Sequence, residues 1–299
     1  MGYNDFLKIV EQAGKIEGIY MPSIAIIGTG MVGGALDRYF KSQGLLAGSY
    51  DPPKGLNDIE VLRNADVLFV AVPTPYYLDG SGFDDSFMRA AIDAIPEQNK
   101  TIVLKSTITP GTTEKFQALY PGHRILFNPE FLTETTADYD LQFPKRQIVG
   151  YTPESRRDAE LVMGLLPRAP YEKIIPAKEA EMVKYFGNAF YALKVAYANQ
   201  MYDLCDKMGV DYDTVKDCAK AEPMIVGDQR NTHLEIFHKG YRGYGGKCLP
   251  KDTRSIVQLA KTLDIDLTLL RKAEEYNNEL QRAQGIDIQW REGSPEKGS

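Results

Sequence analysis

The sequence predicts a two-part α/β chain. A doubly wound, mostly parallel sheet comes first, and an all-helical domain organised on one long central helix follows. Three observations carry this. Short apolar runs alternate with helix-period segments from residue 23 to about residue 165. A glycine fingerprint, Gly28-Thr29-Gly30-Met31-Val32-Gly33, separates the first apolar run from the first helical segment. Residues 177–209 contain no proline, and apolar residues recur there at 182, 183, 186, 190, 193, 197, 201, 204 and 208, a helical period.

Taken in order, residues 1–22 read as an N-terminal extension in which Phe6, Ile9, Val10 and Ala13 share one apolar stripe. Strands are expected at 23–28, 47–51, 67–72 and 101–105, with shorter ones at 125–127 and 147–150. Helices are expected at 32–41, 84–94 and 154–165. This part, 23–176, is the expected dinucleotide-binding domain. The helix at 177–209 would be roughly 50 Å long at 1.5 Å per residue. That is either the core of a helical domain or a dimer-forming helix, and Tyr185, Phe186, Phe190, Tyr191, Tyr197 and Tyr202 favour the second. Further helices are expected at 213–219, 252–263 and 267–282, closing a helical domain at 177–288. The tail, 289–299, is polar with Gly, Ser and Pro and reads as disordered.

Composition narrows the function. The chain has 299 residues, 43% hydrophobic and 25% charged, with a net charge of −6, which argues against a general nucleic-acid binder. No apolar run is long enough to span a membrane, and no secretory signal is visible. Three scattered cysteines, Cys205, Cys218 and Cys248, read as reduced and place the chain in the cytoplasm. Histidines occur only at 123, 233 and 238, with no zinc-like spacing, so no metal is expected.

The glycine run has the chemistry of a Rossmann-like cofactor site. Gly28 permits a tight turn, Gly30 lets a pyrophosphate approach backbone, and Gly33 lets helix and sheet pack closely. The helix start at Met31 and Val32 supplies N–H groups to an anion. Asp51 ends the second strand, where a carboxylate binds ribose hydroxyls and repels a 2′-phosphate; NAD is therefore favoured over NADP, with Lys54 nearby as a counterweight. Polar loops after the third and fourth strands, Val72-Pro73-Thr74-Pro75 and Lys105-Ser106-Thr107, are either ribose and nicotinamide contacts or ordinary turns.

Other segments carry reactive groups. Cys248 follows the glycine-rich run Tyr241-Arg242-Gly243-Tyr244-Gly245-Gly246-Lys247 and precedes Lys251 and Asp252. It is a nucleophile candidate or a small buried hydrophobe; Cys205 and Cys218 are assigned to the latter. Lys184 and Asn188 share a face of the long helix, by default a solvated one. Glu130 and Glu134 flank Phe131 and Leu132 after a short strand.

Together these segments resemble the UDP-glucose/GDP-mannose dehydrogenase family. The matching runs are GTGMVGG at 28–34, VAVPTP at 70–75, KSTITPGT at 105–112, NPEFLTE at 128–134, EAEMVKYFGNAFYALKVAYANQ at 179–200 and GYGGKCLPKDT at 243–253. The resemblance implies a four-electron oxidation of a nucleotide-sugar primary alcohol to a carboxylate, with two NAD consumed. Cys248 would form a thiohemiacetal and then a thioester. Lys184 would stabilise the oxyanion, and Asp252, with Asn188 and Thr107 holding water, would move protons. Glu130 would serve thioester hydrolysis. Phe131, Leu132, Tyr241, Tyr244 and Gly245 would line the sugar and pyrophosphate together with Lys184 and Asn188, and Pro73, Thr74, Ser106, Thr107, Glu134 and Lys251 would lie near the cofactor. A homodimer through 177–209 is implied. Lys184 and Lys251 are expected to favour the Cys248 thiolate. Two departures stand out: no strand–helix alternation follows residue 265, where the family continues into a base-binding domain, and Arg230-Asn231-Thr232-His233 replaces the usual Arg-Ile-Gly. Oxidation of a non-nucleotide alcohol, or NAD binding without turnover, are the alternatives.

Overall fold

The structure is a computed structural model and describes residues 21–77, 82–226, 233–237, 240–246 and 248–286. The N-terminal stripe, Arg230 to Thr232, Lys247 and the tail lie outside the described residues. The strands are β1 (Ile24–Ile27), β2 (Leu46–Tyr50), β3 (Val67–Val70), β4 (Tyr76–Tyr77), β5 (Gly82–Phe83), β6 (Thr101–Leu104), β7 (Arg124–Phe127), β8 (Arg146–Tyr151) and β9 (Tyr171–Pro176). Seven form one sheet in the order β2-β1-β3-β6-β7-β8-β9, while β4 and β5 make a separate hairpin. All pairs in the large sheet are parallel except β7 with β8.

The central strands read IAII, VLFV and TIVL because both faces of the sheet are covered. Successive side chains alternate between two cores. Ala25, Ile27, Leu68, Val70, Ile102 and Leu104 line one; Ile24, Ile26, Val67, Phe69 and Val103 line the other. The covering helices are α1 (Met31–Ser42), α2 (Glu60–Asn64), α3 (Ser86–Asp93), α4 (Thr112–Leu119), α5 (Ala137–Gln142) and α6 (Ala159–Leu165). From β1 the chain steps one way to β2 and then back across to β3. The loops after β1 and β3 therefore diverge at a switch point, where open α/β sheets bind ligands. Strand β9 was not expected. It is an edge strand reading YEKIIP, with Tyr171 and Lys173 turned outward, and lacks the apolar density that marks the inner strands.

The long helix is α7 (Ala177–Met208), ended by Gly209 in the left-handed conformation. Its orientation reverses the default expectation. The polar residues Glu181, Lys184, Asn188 and Asn199 are buried, while Met182, Phe186, Phe190, Tyr197, Leu204 and Met208 are exposed. The apolar period in the sequence therefore faces outward. At its start α7 seats on β8 at Gly150, where a Cβ would lie 2.8 Å from the Ala180 Cβ and 2.9 Å from the Ala177 Cα. Around α7 stand α8 (Tyr212–Lys220), α9 (Pro223–Val226), α10 (Leu249–Thr262) and α11 (Thr268–Ala283). No helix among the described residues is long and apolar enough to cross a membrane.

Candidate active site

The glycine loop has the form a dinucleotide needs. Gly28 has φ +84°, and a Cβ there would stand 2.7 Å from the Ala71 carbonyl oxygen. A Cβ at Gly33 would fall 1.8 Å from the Gly28 carbonyl oxygen, so only glycine lets α1 start this close to β1. Nothing lies near the face of Gly30. Asp51 Oδ2 accepts from the Thr29 N–H and the Thr29 hydroxyl, both at 2.7 Å. Burial opposes the charge of Asp51, but these bonds and Lys54 outweigh it and hold the carboxyl below its ordinary value. Both bonds fall on Oδ2, which leaves the Oδ1 lone pairs for ribose hydroxyls. Lys54 donates to the Thr29 carbonyl at 2.6 Å and lies 3.6 Å from Asp51. It is thus engaged with the loop and the acid rather than held out for a 2′-phosphate. These residues fit NAD.

The two strand-end loops hold each other. Ser106 donates to the Val72 carbonyl at 2.6 Å, and the Thr74 hydroxyl donates to the Thr107 carbonyl at 2.8 Å. Pro73 is exposed and Thr107 half-buried on this rim. Met31 and Val32 open α1 above the same switch point.

Beside this rim the structure gathers the reactive groups. Lys184 donates to Glu130 Oε1 at 2.7 Å, with both side chains under a tenth exposed. Glu130 Oε2 accepts the Leu132 N–H at 2.8 Å. Burial penalises both charges. Their mutual attraction wins, so Glu130 is held below and Lys184 above its ordinary range. Asn188 donates to Asp252 Oδ2 at 2.5 Å, and Lys251 Nζ lies 2.8 Å from Oδ1 of the same, almost fully buried, carboxylate.

Cys248 caps the start of α10, and its carbonyl accepts the Asp252 N–H. Solvent reaches the residue, although protein encloses the thiol on its other sides. That enclosure, with the charges of Asp252 and Glu130, pushes the thiol above its ordinary pKa. Lys184 and Lys251 do favour the thiolate, but burial and the two carboxylates outweigh them in the protein alone. Each ammonium also faces a carboxylate, Glu130 or Asp252, whose charge acts on the sulfur in the opposite sense.

Phe131 lies under Arg146, whose guanidinium carbon is 3.8 Å from the ring centroid, and Lys184 Nζ is 5.9 Å from that centroid. Leu132 is partly buried; Glu134 is exposed at the end of the segment. The loop bearing Tyr241 and Gly245 is half-buried. Tyr244 packs its ring among Ala192, Val195 and Leu249. Asn277 accepts the Tyr244 N–H at 2.7 Å and donates to its carbonyl at 2.9 Å, which pins the loop to α11.

The sequence marks Lys105 only as part of a candidate cofactor loop and gives no role to Asn128 or Arg146. Lys105 is buried and donates to Asn128 Oδ1 at 2.7 Å. Burial, aided by Lys184 and opposed by Glu130, brings its pKa down to about 7. A strand-end lysine carries no signal of burial in the sequence. Arg146 reaches Phe131 only because β8 runs back antiparallel to β7, a reversal invisible in its residues.

Known proteins give the same grouping. Residues 54–164 match the model of the UDP-glucose/GDP-mannose dehydrogenase family's NAD-binding domain, and residues 178–279 match its central domain. The UDP-glucose 6-dehydrogenase YwqF of Bacillus subtilis is 32% identical over 230 residues, which cover 74% of this chain and 50% of that protein. The UDP-glucose 6-dehydrogenase of Streptococcus pneumoniae is 33% identical over 233 residues, 74% of this chain and 56% of that one. The chain thus spans about half the length of these curated relatives. A solved UDP-glucose dehydrogenase from Pyrobaculum islandicum superposes with a TM-score of 0.73 at 26% identity, covering 90% of this chain and 73% of its own. With the NAD-fitting loop and both family regions in one chain, the protein belongs to the UDP-glucose/GDP-mannose dehydrogenase family.

Proposed function

We propose that the chain oxidises the primary alcohol of a nucleotide sugar to a carboxylate, of the UDP-glucose to UDP-glucuronate type, at the expense of two NAD. The carrying observation is the convergence of Cys248 with two buried polar pairs, Lys184–Glu130 and Asn188–Asp252. A simple alcohol dehydrogenase needs no thiol beside its acid and ammonium groups.

NAD supplies the hydride acceptor in both oxidations. In the first, the substrate hydroxyl loses its proton through water to Asp252, which Asn188 holds in place. The aldehyde stays at the site because the Cys248 sulfur, its proton released to water, adds to the carbonyl carbon; the C–S bond forms as the C=O π bond opens to an alkoxide that Lys184 stabilises. Loss of a second hydride from that carbon turns the thiohemiacetal into a thioester. Water then adds, the C–S bond breaks, and thiol and carboxylate form. The balance is alcohol plus two NAD⁺ plus water giving carboxylate, two NADH and three protons. Glu130 serves this last step. Paired with Lys184 it is a weak base, and it gains basicity when the ammonium turns to the substrate oxygen. Phe131, Leu132 and the 241–246 loop lie along the sugar and diphosphate, while Glu134 and Lys251 lie on the cofactor side.

Stoichiometry tests this reading. With UDP-glucose, two NADH are expected per sugar nucleotide consumed, and no aldehyde is expected in solution. One NADH with free aldehyde, or no NADH across a panel of sugar nucleotides, overturns it.

The reading includes a homodimer. Met182, Phe186, Phe190, Tyr197, Leu204 and Met208 fall at spacings of four and seven along α7 and form one exposed apolar stripe. A second copy presenting the same stripe covers it isologously. Light scattering is expected to give twice the 33.5 kDa chain mass, and Phe186→Glu with Phe190→Glu is expected to return the monomer. A stable wild-type monomer at micromolar concentration removes the dimer.

A further inference from the structure

One buried carboxylate near the site takes no part in the proposed chemistry. Glu181 is fully buried on α7, three residues before Lys184 and seven before Asn188, hence on the same face of the helix. It accepts the Gly111 N–H at 2.5 Å, the Thr113 N–H at 2.7 Å and the Thr113 hydroxyl at 2.5 Å. The two N–H groups are among the first backbone donors of α4, which a helix start leaves without partners. The bonds join two pieces of chain 70 residues apart. One is the helix that carries Lys184 and Asn188. The other is the segment from β6 to α4 that carries Lys105, Ser106 and Thr107.

A helix start is ordinarily satisfied far more simply. A Ser, Thr, Asp or Asn at the N-cap accepts the same N–H groups locally and leaves no charge in the interior. Here the N-cap is Gly111, in the left-handed conformation with φ +96°, and has no side chain to offer. The acceptor comes instead from the long helix, and among the described residues no cation lies within ion-pair distance of the carboxylate, Lys178 acting on it only from further off. The cost shows in its acidity: burial outweighs the Thr113 and Gly111 bonds and lifts the carboxyl to about 7. An exposed ion pair on the same seam, Lys178 with Glu114 at 2.8 Å, adds little. What the long-range cap provides, and a local one does not, is a fixed distance between α7 and the loop.

The near end of that loop is held by the loop after β3. Ser106 bonds the Val72 carbonyl, and Thr74 bonds the Thr107 carbonyl. Its far end reaches α7 through Glu181. We propose that Glu181 is a positioning residue that sets the Ser106–Thr107 rim of the cofactor site against Lys184 and Asn188. This rests on the functional reading above, since it assigns the two sides of the clasp to cofactor and substrate.

The test uses the full chain with Glu181→Gln, Thr113→Val and the double variant. Gln keeps the length but turns an N–H donor toward the donors of the loop; Thr113→Val removes one donor and leaves Glu181 in place. The readouts are NAD⁺ affinity by calorimetry, kcat and KM with UDP-glucose, and the melting temperature. Glu181→Gln is expected to weaken NAD⁺ binding about tenfold and to lower kcat about 100-fold, the scale of an ångström-sized misplacement, with KM for UDP-glucose little changed. Thr113→Val is expected to show part of both losses, and the double variant to be no worse than Glu181→Gln. A folded Glu181→Gln chain with unchanged NAD⁺ affinity and kcat overturns the proposal, and so does an additive double variant. If Glu181→Gln does not fold, Thr113→Val decides by the same two readouts. If the wild type turns over no sugar nucleotide, the functional reading fails, and NAD⁺ affinity alone decides the role of Glu181.

Discussion

Cys248→Ser is expected to stop the reaction between its two oxidations. The hydroxyl that replaces the thiol is far less acidic and a much weaker nucleophile at neutral pH. The second hydride transfer and the release of carboxylate are expected to slow by at least about 10³-fold, the scale on which loss of a covalent nucleophile acts. NAD⁺ affinity is expected to stay within about twofold, because the glycine loop and Asp51 do not touch the sulfur. The readout is NADH per UDP-glucose in a single turnover, expected to fall below two; an unimpaired yield of two would show that the covalent route is wrong. The raised pKa of the thiol adds a second reading. Alkylation of the protein alone is expected to be slow at neutral pH and to quicken only above the ordinary thiol pKa. Addition of NAD⁺ and an unreactive substrate analogue, which draw Lys184 off Glu130, is expected to shift that profile downward.

Lys184→Met is expected to produce the second large effect, and on two quantities at once. In the proposed mechanism the ammonium stabilises charge on the reacting oxygen, and loss of one such donor costs about 10²–10³-fold in kcat. The substitution also leaves Glu130 buried without its partner. Breaking a buried pair from one side costs about 3–5 kcal/mol, reduced here by the favourable charge of Lys105 on Glu130. The two effects separate in the double variant Lys184→Met with Glu130→Gln. Removing both charges is expected to restore much of the stability and none of the activity. If stability and activity return together, Lys184 serves the fold and not the chemistry. The pH range follows from the directions of the shifts. Glu130 is depressed from 4.5 and Lys184 raised from 10.5. The stability from the pair is thus whole between those values. It is lost as pH falls through the lowered Glu130 pKa or rises through the raised Lys184 pKa.

The legible parts of this chain are those where one residue type answers one geometric demand. Gly28 and Gly33 could be read because only glycine tolerates the approach they make. The strands IAII, VLFV and TIVL could be read because a doubly covered sheet requires unbroken apolar runs. What escaped was decided by partners distant in sequence. Nothing in the sequence marks Lys105 or Glu181 as buried; folding sets one against Asn128 and the other against Gly111 and Thr113. Strand β9 escaped because an edge strand can carry charge. The spacing that shows 177–209 to be helical could not show which side turns inward; the usual rule, apolar side in, gives the wrong side for most of α7.

That inversion leaves α7 with a phase problem. With Tyr185, Val195 and Cys205 buried on one side and Phe186, Phe190 and Tyr197 exposed on the other, apolar burial alone does not fix the rotation of the helix. The stop is at Gly150, where β8 has no side chain and the small residues Ala177 and Ala180 sit down on bare backbone. A bulkier residue at 150 would lift that end of the rod and let it turn. Because a helix turns as a unit, a change there would be felt more than a full turn away, at the ammonium of Lys184. Gly150 lies outside the groups named in the proposed chemistry, yet the close seat of α7 on β8 requires its bare backbone.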